Sequence, residues 1–182
     1  LKYSSMQKLS RKQVSYRPLA GVEEYYAPSV IALSQSEGVV PLDEKSYGST
    51  SCGWVAEIND MVVGHCGITV VYSNETIELG ALVTSPIARG RGIAPDLIKK
   101  VVESAIKDYS PTSILAFSNP SSRTLFEKMG AVQIENGFEL PEEVWKLCSS
   151  CRFNPNFFKC GATNYLGELC CGRVYNLIDI DC

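Results

Sequence analysis

Long apolar runs are missing from this chain of 182 residues. None reaches about 18 residues, so no segment reads as a membrane-spanning helix. A marked excess of either charge is missing as well. The net charge is −3 and no basic stripe runs through the chain, which argues against a general binder of nucleic acid or of membrane surfaces. Histidine is nearly absent, with His65 the only one. No cysteine is tied to a visible His/Asp relay, so an acyl-enzyme built on a cysteine nucleophile is disfavoured. The chain also lacks Gly-x-x-x-x-Gly-Lys and the first glycine of Gly-x-Gly-x-x-Gly, which excludes a P-loop and the dinucleotide fingerprint. No internal repeat or low-complexity tract is present. No secretory signal pattern is visible, although the start at Leu1 leaves room for a segment upstream.

What is present suits one folded domain. Apolar residues make up 45% and charged residues 20%, ordinary for a globular chain. A chain of this length buries roughly 70% of its unfolded surface, so a core forms without staples. The basic start, Lys2, Lys8, Arg11 and Lys12, reads as a solvated tail.

The hydrophobic periods set the element order. Gln13 to Arg17 alternates and ends at Pro18, a short strand. Residues 21–36 are helical in pattern but interrupted by Pro28, which predicts two short helices or a kink. Residues 37–53 are rich in Gly, Ser and Pro and read as a loop. Trp54 to Ile58 and Met61 to Tyr72 form a hairpin turned at Asn59-Asp60. Ser73-Asn74-Glu75 turns the chain into a long strand, 76–84. Ile93, Leu97, Ile98, Val101, Val102, Ala105, Ile106 and Tyr109 give one apolar face of a helix, with Pro95 in its first turn. Thr112 to Phe117 is a buried-type strand. Asn119 caps a helix that opens with Pro120, runs to Met129 and is stopped by Gly130. Ala131 to Ile134 and Val174 to Ile180 read as the last strands.

Arg89-Gly90-Arg91-Gly92-Ile93-Ala94 lies between the long strand and the periodic helix. Gly90 and Gly92 bare the backbone for close approach. Successive N–H groups and the helix N-terminus favour an anion, and Arg89 and Arg91 each offer a charge-assisted contact. Alone, the stretch is equally a surface turn with two solvated arginines.

Its flanks add to it. Arg89-x-x-Gly92-x-Ala94 after a strand and opening a helix, with Thr84-Ser85-Pro86 just before, resembles motif A of the GNAT superfamily of acyl-CoA-dependent N-acetyltransferases. The hairpin Val55 to Gly64 resembles the same family. Asn119-Pro120-Ser121-Ser122-Arg123-Thr124-Leu125-Phe126-Glu127-Lys128-Met129-Gly130-Ala131 resembles its motif B. The resemblance covers about residues 54–138 plus strands at either end. It implies an α/β (α+β) fold: a mixed, mostly antiparallel central sheet flanked by helices, with strand 76–84 splayed from its parallel neighbour. It implies acetyl-CoA in that cleft as cosubstrate. Leu82, Val83 and Thr84 would pair with the pantetheine arm through their backbone. Arg89, Gly90, Arg91, Gly92, Ile93 and Ala94 would wrap the pyrophosphate. Asn119 would reach the pantetheine and Arg123 the nucleotide end. Asn119 is equally a plain cap and Arg123 a solvated helix residue.

Acetyl transfer to an amine needs a base, an oxyanion donor and a proton for the leaving thiolate. Glu78, in an apolar strand leading to the cleft, is the candidate base, since burial would raise its pKa. The alternative is a strand carboxylate bonded to a neighbour or to solvent. The chain departs from the family pattern at Phe126, where many members carry a proton-donating Tyr. Tyr165, Tyr175 or water are the substitutes. His65 reads as a structural histidine, and Cys52 and Cys66 as small buried residues.

Between the two last strands lies a Cys-rich insert, about 139–173, within the same domain. Cys148-x-x-Cys151, Cys160 and Cys171, with Cys170 as the alternative fourth ligand, have the spacing of a structural zinc site. Disulfides are the rival, disfavoured in the reducing compartment of a CoA-dependent enzyme, and free thiols are the third reading. The resemblance implies a cytoplasmic N-acetyltransferase in which a small-molecule or peptide amine attacks directly in a ternary complex. It calls for no nucleic acid and no membrane, and it is compatible with a homodimer. The second reading is a non-catalytic CoA-binding sensor or interaction module that uses the Cys-rich segment. The acceptor is not legible. Glu23, Glu24, Tyr25 and Tyr26, with the loop 37–53, lie where its site would be shaped.

Overall fold

The computed structural model describes residues 14–38, 52–72, 75–134, 140–143 and 173–180. Seven strands among them form one mixed sheet: β1 (Ser15–Pro18), β2 (Gly53–Ile58), β3 (Met61–Val71), β4 (Thr76–Thr84), β5 (Ser113–Ser118), β6 (Val132–Ile134) and β7 (Arg173–Asn176), in the order β1-β2-β3-β4-β5-β7-β6. Three helices are described: α1 (Glu23–Ser36), α2 (Ile93–Tyr109) and α3 (Pro120–Lys128). All pairings are antiparallel except β4 with β5. This is the mixed, mostly antiparallel sheet flanked by helices that the sequence implied.

The β2–β3 hairpin closes where expected. Asn59 and Asp60 both take positive φ, 50° and 61°, the left-handed pair that matches the strand twist. Helix α2 buries Ile93, Leu97, Ile98, Val101, Val102 and Ala105 against the sheet. Ile106, expected on that face, is 43% exposed. The spacing carried it one step around the helix, to the rim. Lys100, expected on the solvent face, lies 4.8 Å from the Trp54 ring centroid and 5.3 Å from that of Tyr16, so its stem covers β1 and β2.

Alternation along the strands sorts the two faces. Ala56, Ile77, Leu79, Ile114, Ala116 and Tyr175 join α2, Phe126 of α3 and its C-cap Met129 in one core. On the opposite face Val55 packs with Tyr26, Ala27 and Val30 of α1. Farther along that face Tyr72, Leu115, Leu140 and Val174 form a third cluster, joined by Val70, Phe117 and Ile134.

Two expectations are corrected. Residues 23–36 form a single helix with Pro28 inside it, which rules out two short helices and leaves the kink as the alternative. Pro28 lies in the second turn and is exposed, so the one missing N–H frees a carbonyl that solvent can satisfy. The last strand stops at Asn176 instead of Ile180. Asn176 Oδ1 accepts from the N–H groups of Ile114 at 3.2 Å and Ile178 at 3.1 Å. The side chain replaces a ladder bond and folds the chain into a turn.

Candidate functional site

Strands β4 and β5 pair only from Thr76–Ser113 to Leu79–Ala116. Beyond Leu79, β4 keeps its β3 partner, with Val83 opposite His65 and Thr84 opposite Gly64, while its other edge has no partner strand among the described residues. The cause is a bulge. Two residues of β4, Ala81 and Leu82, stand against the single residue Cys66 of β3, and Ala81 takes φ 49°. An alanine in the left-handed region is strained. His65 secures it: Nδ1 lies 3.0 Å from the Ala81 carbonyl oxygen. A carbonyl only accepts, so Nδ1 carries the proton and the ring is held in one neutral tautomer. Leu82 and Thr84 are half-buried and Val83 buried along this edge.

His65 is 1% exposed. Burial lowers its pKa to about 4, with the Ala81 carbonyl opposing the shift. Unfolded, the same ring titrates near 6.5. Between those values the unfolded chain binds the extra proton, so His65's contribution is complete above about pH 6.5 and is lost as pH falls toward 4, by up to about 3 kcal/mol. Thermal unfolding from pH 7 to pH 4.5 should therefore show a shallower acid loss for His65→Asn than for the wild type. Equal slopes would refute the assignment.

Because β4 and β5 run parallel, they end on the same side of the sheet, and the helices that follow them open there together. Helix α2 starts at Gly92 (φ 79°, the N-cap), after Gly90 (φ 73°). A Cβ at Gly90 would meet nothing within 4 Å, so backbone approach from outside is open. Ile93 is 2% exposed, so it offers its N–H and not its side chain. Helix α3 starts at Asn119, whose Oδ1 accepts from the Ser122 N–H at 2.9 Å, while Ser122 Oγ accepts from the Asn119 N–H at 3.0 Å. This capping box occupies Oδ1 and leaves Nδ2 as the donor. The Arg89 side chain is engaged by an ion pair to Glu37 at the C-cap of α1 and by Nε donating to the Thr84 carbonyl at 3.3 Å. Arg91 and Ala94 are half-buried. On α3, Arg123 Nε and Nη2 are buried without a hydrogen-bond partner, and so is Thr84 Oγ1 on β4. A guanidinium is costly to bury unpaired, and Arg123 lies in the first turn of α3, where a helix N-terminus suits an anionic ligand.

Glu78 faces the other way, toward the third cluster, in register with Val70 of β3 and Leu115 of β5. It is half-buried. Burial raises its pKa, and hydrogen bonds from Tyr72 and Thr69 oppose that shift. Phe126 is 2% exposed, with the Tyr175 ring 5.7 Å away. The Tyr175 hydroxyl donates to Glu127 Oε1 at 2.8 Å, which commits it to α3. Tyr26 is likewise committed, its hydroxyl donating to Glu57 at 3.1 Å. Tyr25 is 76% exposed. Burial pushes the Cys66 thiol up, so it is an inert core residue.

Tyr165 and the zinc candidates Cys148, Cys151, Cys160, Cys170 and Cys171 lie outside the described residues, among which no cluster of metal ligands occurs. No helix among the described residues is long and apolar enough to cross a membrane. Sequence reasoning missed Ala81, Thr69 and Tyr72, and it left His65 without a partner. Their signal lies in strand register, which the bulges displace.

Comparison with known proteins agrees with this geometry. No curated protein sequence matches the chain. Among solved structures, N-acetylglutamate synthase from Neisseria gonorrhoeae, complexed with coenzyme A and L-arginine, superposes with TM-score 0.58 at 20% identity. The match covers 72% of this chain and 30% of that one, so the chain spans under a third of the synthase's length. A Mycobacterium tuberculosis protein in complex with CoA gives TM-score 0.57 at 19% identity, over 73% of this chain and 80% of that one. A GNAT-family acetyltransferase from Staphylococcus aureus gives 0.58 at 17% identity, over 90% of this chain and 99% of that one. At these identities the likeness is one of fold. The Acetyltransferase (GNAT) family model matches residues 20–131, the span that holds the hairpin, the bulged strand, the glycine turn and the capped helix. The chain belongs to the GNAT acetyltransferase family.

Proposed function

We propose that this chain transfers an acetyl group from acetyl-CoA to a primary amine by direct attack in a ternary complex. One observation carries the reading: the stretch of β4 beyond its pairing with β5, which has no partner strand on that edge among the described residues, and the N-termini of α2 and α3 lie at the same end of the sheet. Two of the similar structures hold coenzyme A, which supports the same donor here. The backbone of Leu82, Val83 and Thr84 would pair with the pantetheine amides as an added strand. The amides from Gly90 to Ala94, with Arg91, would hold the pyrophosphate, and Arg89 would brace that turn through Thr84 and Glu37. Asn119 Nδ2 would reach the pantetheine arm, and Arg123 a phosphate at the nucleotide end.

Acetyl-CoA supplies an activated thioester. N–H groups of the bulged segment polarise its carbonyl. Glu78 takes the proton of the attacking amine, directly or through water. Phe126 has no proton to give and Tyr175 is held by Glu127, which favours water, or Tyr165 outside the described residues, as the proton source for the leaving thiolate. The same two residues favour a second reading, a CoA-binding sensor without turnover. Thiol release from acetyl-CoA over a panel of amines separates the two: release with any amine supports the enzyme, and tight CoA binding without release supports the sensor. We place the chain in the cytoplasm and read the cysteine segment as a zinc staple, on the spacing Cys148-x-x-Cys151. Metal analysis of protein purified without added zinc should find bound zinc, and its absence would sink that version.

A further inference from the structure

We propose that Tyr72 and Thr69 form a two-point clamp that positions the Glu78 carboxylate, and that Gly80 supplies the space the clamp needs. This rests on the reading of Glu78 as the base and adds the groups that make it one. The Tyr72 hydroxyl donates to Glu78 Oε2 at 2.5 Å, and Thr69 Oγ1 donates to Oε1 at 3.1 Å. Each carboxylate oxygen therefore has its own donor, the arrangement that fixes a carboxylate's plane. Tyr72 is 5% exposed, and its N–H bonds the Thr76 carbonyl at 2.8 Å. Its burial limits the room for the ring to turn away, and the backbone bond fixes where the ring starts.

Thr69 is in place because β3 is irregular there. Ile68 pairs with Leu79 and Val70 with Glu78, so Thr69 is the extra residue of a bulge. Bulges re-aim side chains, and this one also brings Oγ1 within 3.3 Å of the Glu78 carbonyl. A Cβ at Gly80 would lie 2.7 Å from Thr69 Cγ2 and 3.0 Å from Oγ1. Any side chain at position 80 therefore displaces the threonine. Two side chains, Thr69 of β3 and Tyr72 just after it, converge on one carboxylate. The pairing neighbours of that carboxylate, Val70 and Leu115, are apolar. Among the described residues, Tyr72 and Thr69 are the side chains that act on its titration.

The clamp works against burial. A half-buried carboxylate on an apolar face drifts toward its neutral form, which cannot accept a proton. Donors on both oxygens hold it charged and aimed. Tyr72 and Thr69 are thus positioning residues, acting through Glu78.

The test reads Glu78 itself. With 13C-labelled glutamate, the Glu78 side-chain resonance is assigned by its loss in Glu78→Gln and titrated in the intact protein. Tyr72→Phe should raise its midpoint by about one pH unit, the size expected for a hydrogen bond to a charged group. Thr69→Val and Gly80→Ala should raise it by less, and Thr69→Ser, which keeps the hydroxyl, should restore it. Under turnover, the acid limb of kcat/KM should move up in step for Tyr72→Phe and Thr69→Val, with activity recovered at higher pH. An unchanged midpoint in both Tyr72→Phe and Thr69→Val overturns the clamp. Wild-type turnover by Glu78→Gln would overturn the base assignment alone, since the midpoints judge the clamp without any reference to activity.

Discussion

Gly92→Val should abolish acetyl-CoA binding, weakening it at least about 100-fold, or roughly 2.7 kcal/mol. Gly92 has φ 79° and is the N-cap of α2. A valine there must hold a left-handed conformation at a cost of about 1–2 kcal/mol and sets two methyl groups among the first amides of the helix. In a domain of this size that strain lowers Tm by several degrees, so lost binding alone would not identify the cause. Gly90→Ala separates the effects. Its φ is 73°, but an added Cβ meets nothing within 4 Å, so the folded chain carries strain without collision. Calorimetric titration with acetyl-CoA, beside far-UV circular dichroism, should show both variants folded, Gly92→Val without binding and Gly90→Ala weakened about tenfold. Wild-type affinity in both would show that this turn does not hold the donor.

The second large effect is expected at Glu78. Glu78→Gln should lower kcat by about 10²–10⁴, the range for loss of a general base, with the KM for acetyl-CoA nearly unchanged. Glutamine has the same shape, and its Oε1 can keep one of the two donors from Tyr72 and Thr69, so the fold should survive. The pH profile carries the sharper signal. Burial raises the Glu78 pKa, and below that pKa the group is protonated and cannot accept from the amine. Wild-type kcat/KM should fall as pH drops through an acid limb above the ordinary carboxylate range, and Glu78→Gln should lack that limb. A variant that keeps both its rate and its limb would remove Glu78 from the mechanism.

Where the signal was local, the chain could be read directly. The α2 period picked out Leu97, Ile98, Val101, Val102 and Ala105, all buried, because one helix face meets one sheet. Asn59-Asp60 and Asn119-Pro120 named their own turn and cap, because a left-handed pair and a capping side chain act within four residues. The order of the glycine turn between strand and helix was legible for the same reason. Pro28 does not divide α1 in two, because the cost of a proline depends on where solvent can reach the carbonyl it frees. The end of β7 was misread because Asn176 competes with its own backbone.

The sequence by itself determined the elements, the glycine turn that opens α2, the Asn119 cap and the placing of an acid at position 78. Tertiary structure alone decided what those residues face. Each bulge in β3 and β4 adds a residue to one strand and shifts every later partner by one, so alternation no longer tells which side chains meet. That is how Ala81 comes to the His65 ring and how Thr69 and Tyr72 reach Glu78. Such contacts depend on register between distant strands, and register is set by packing both faces of the sheet at once.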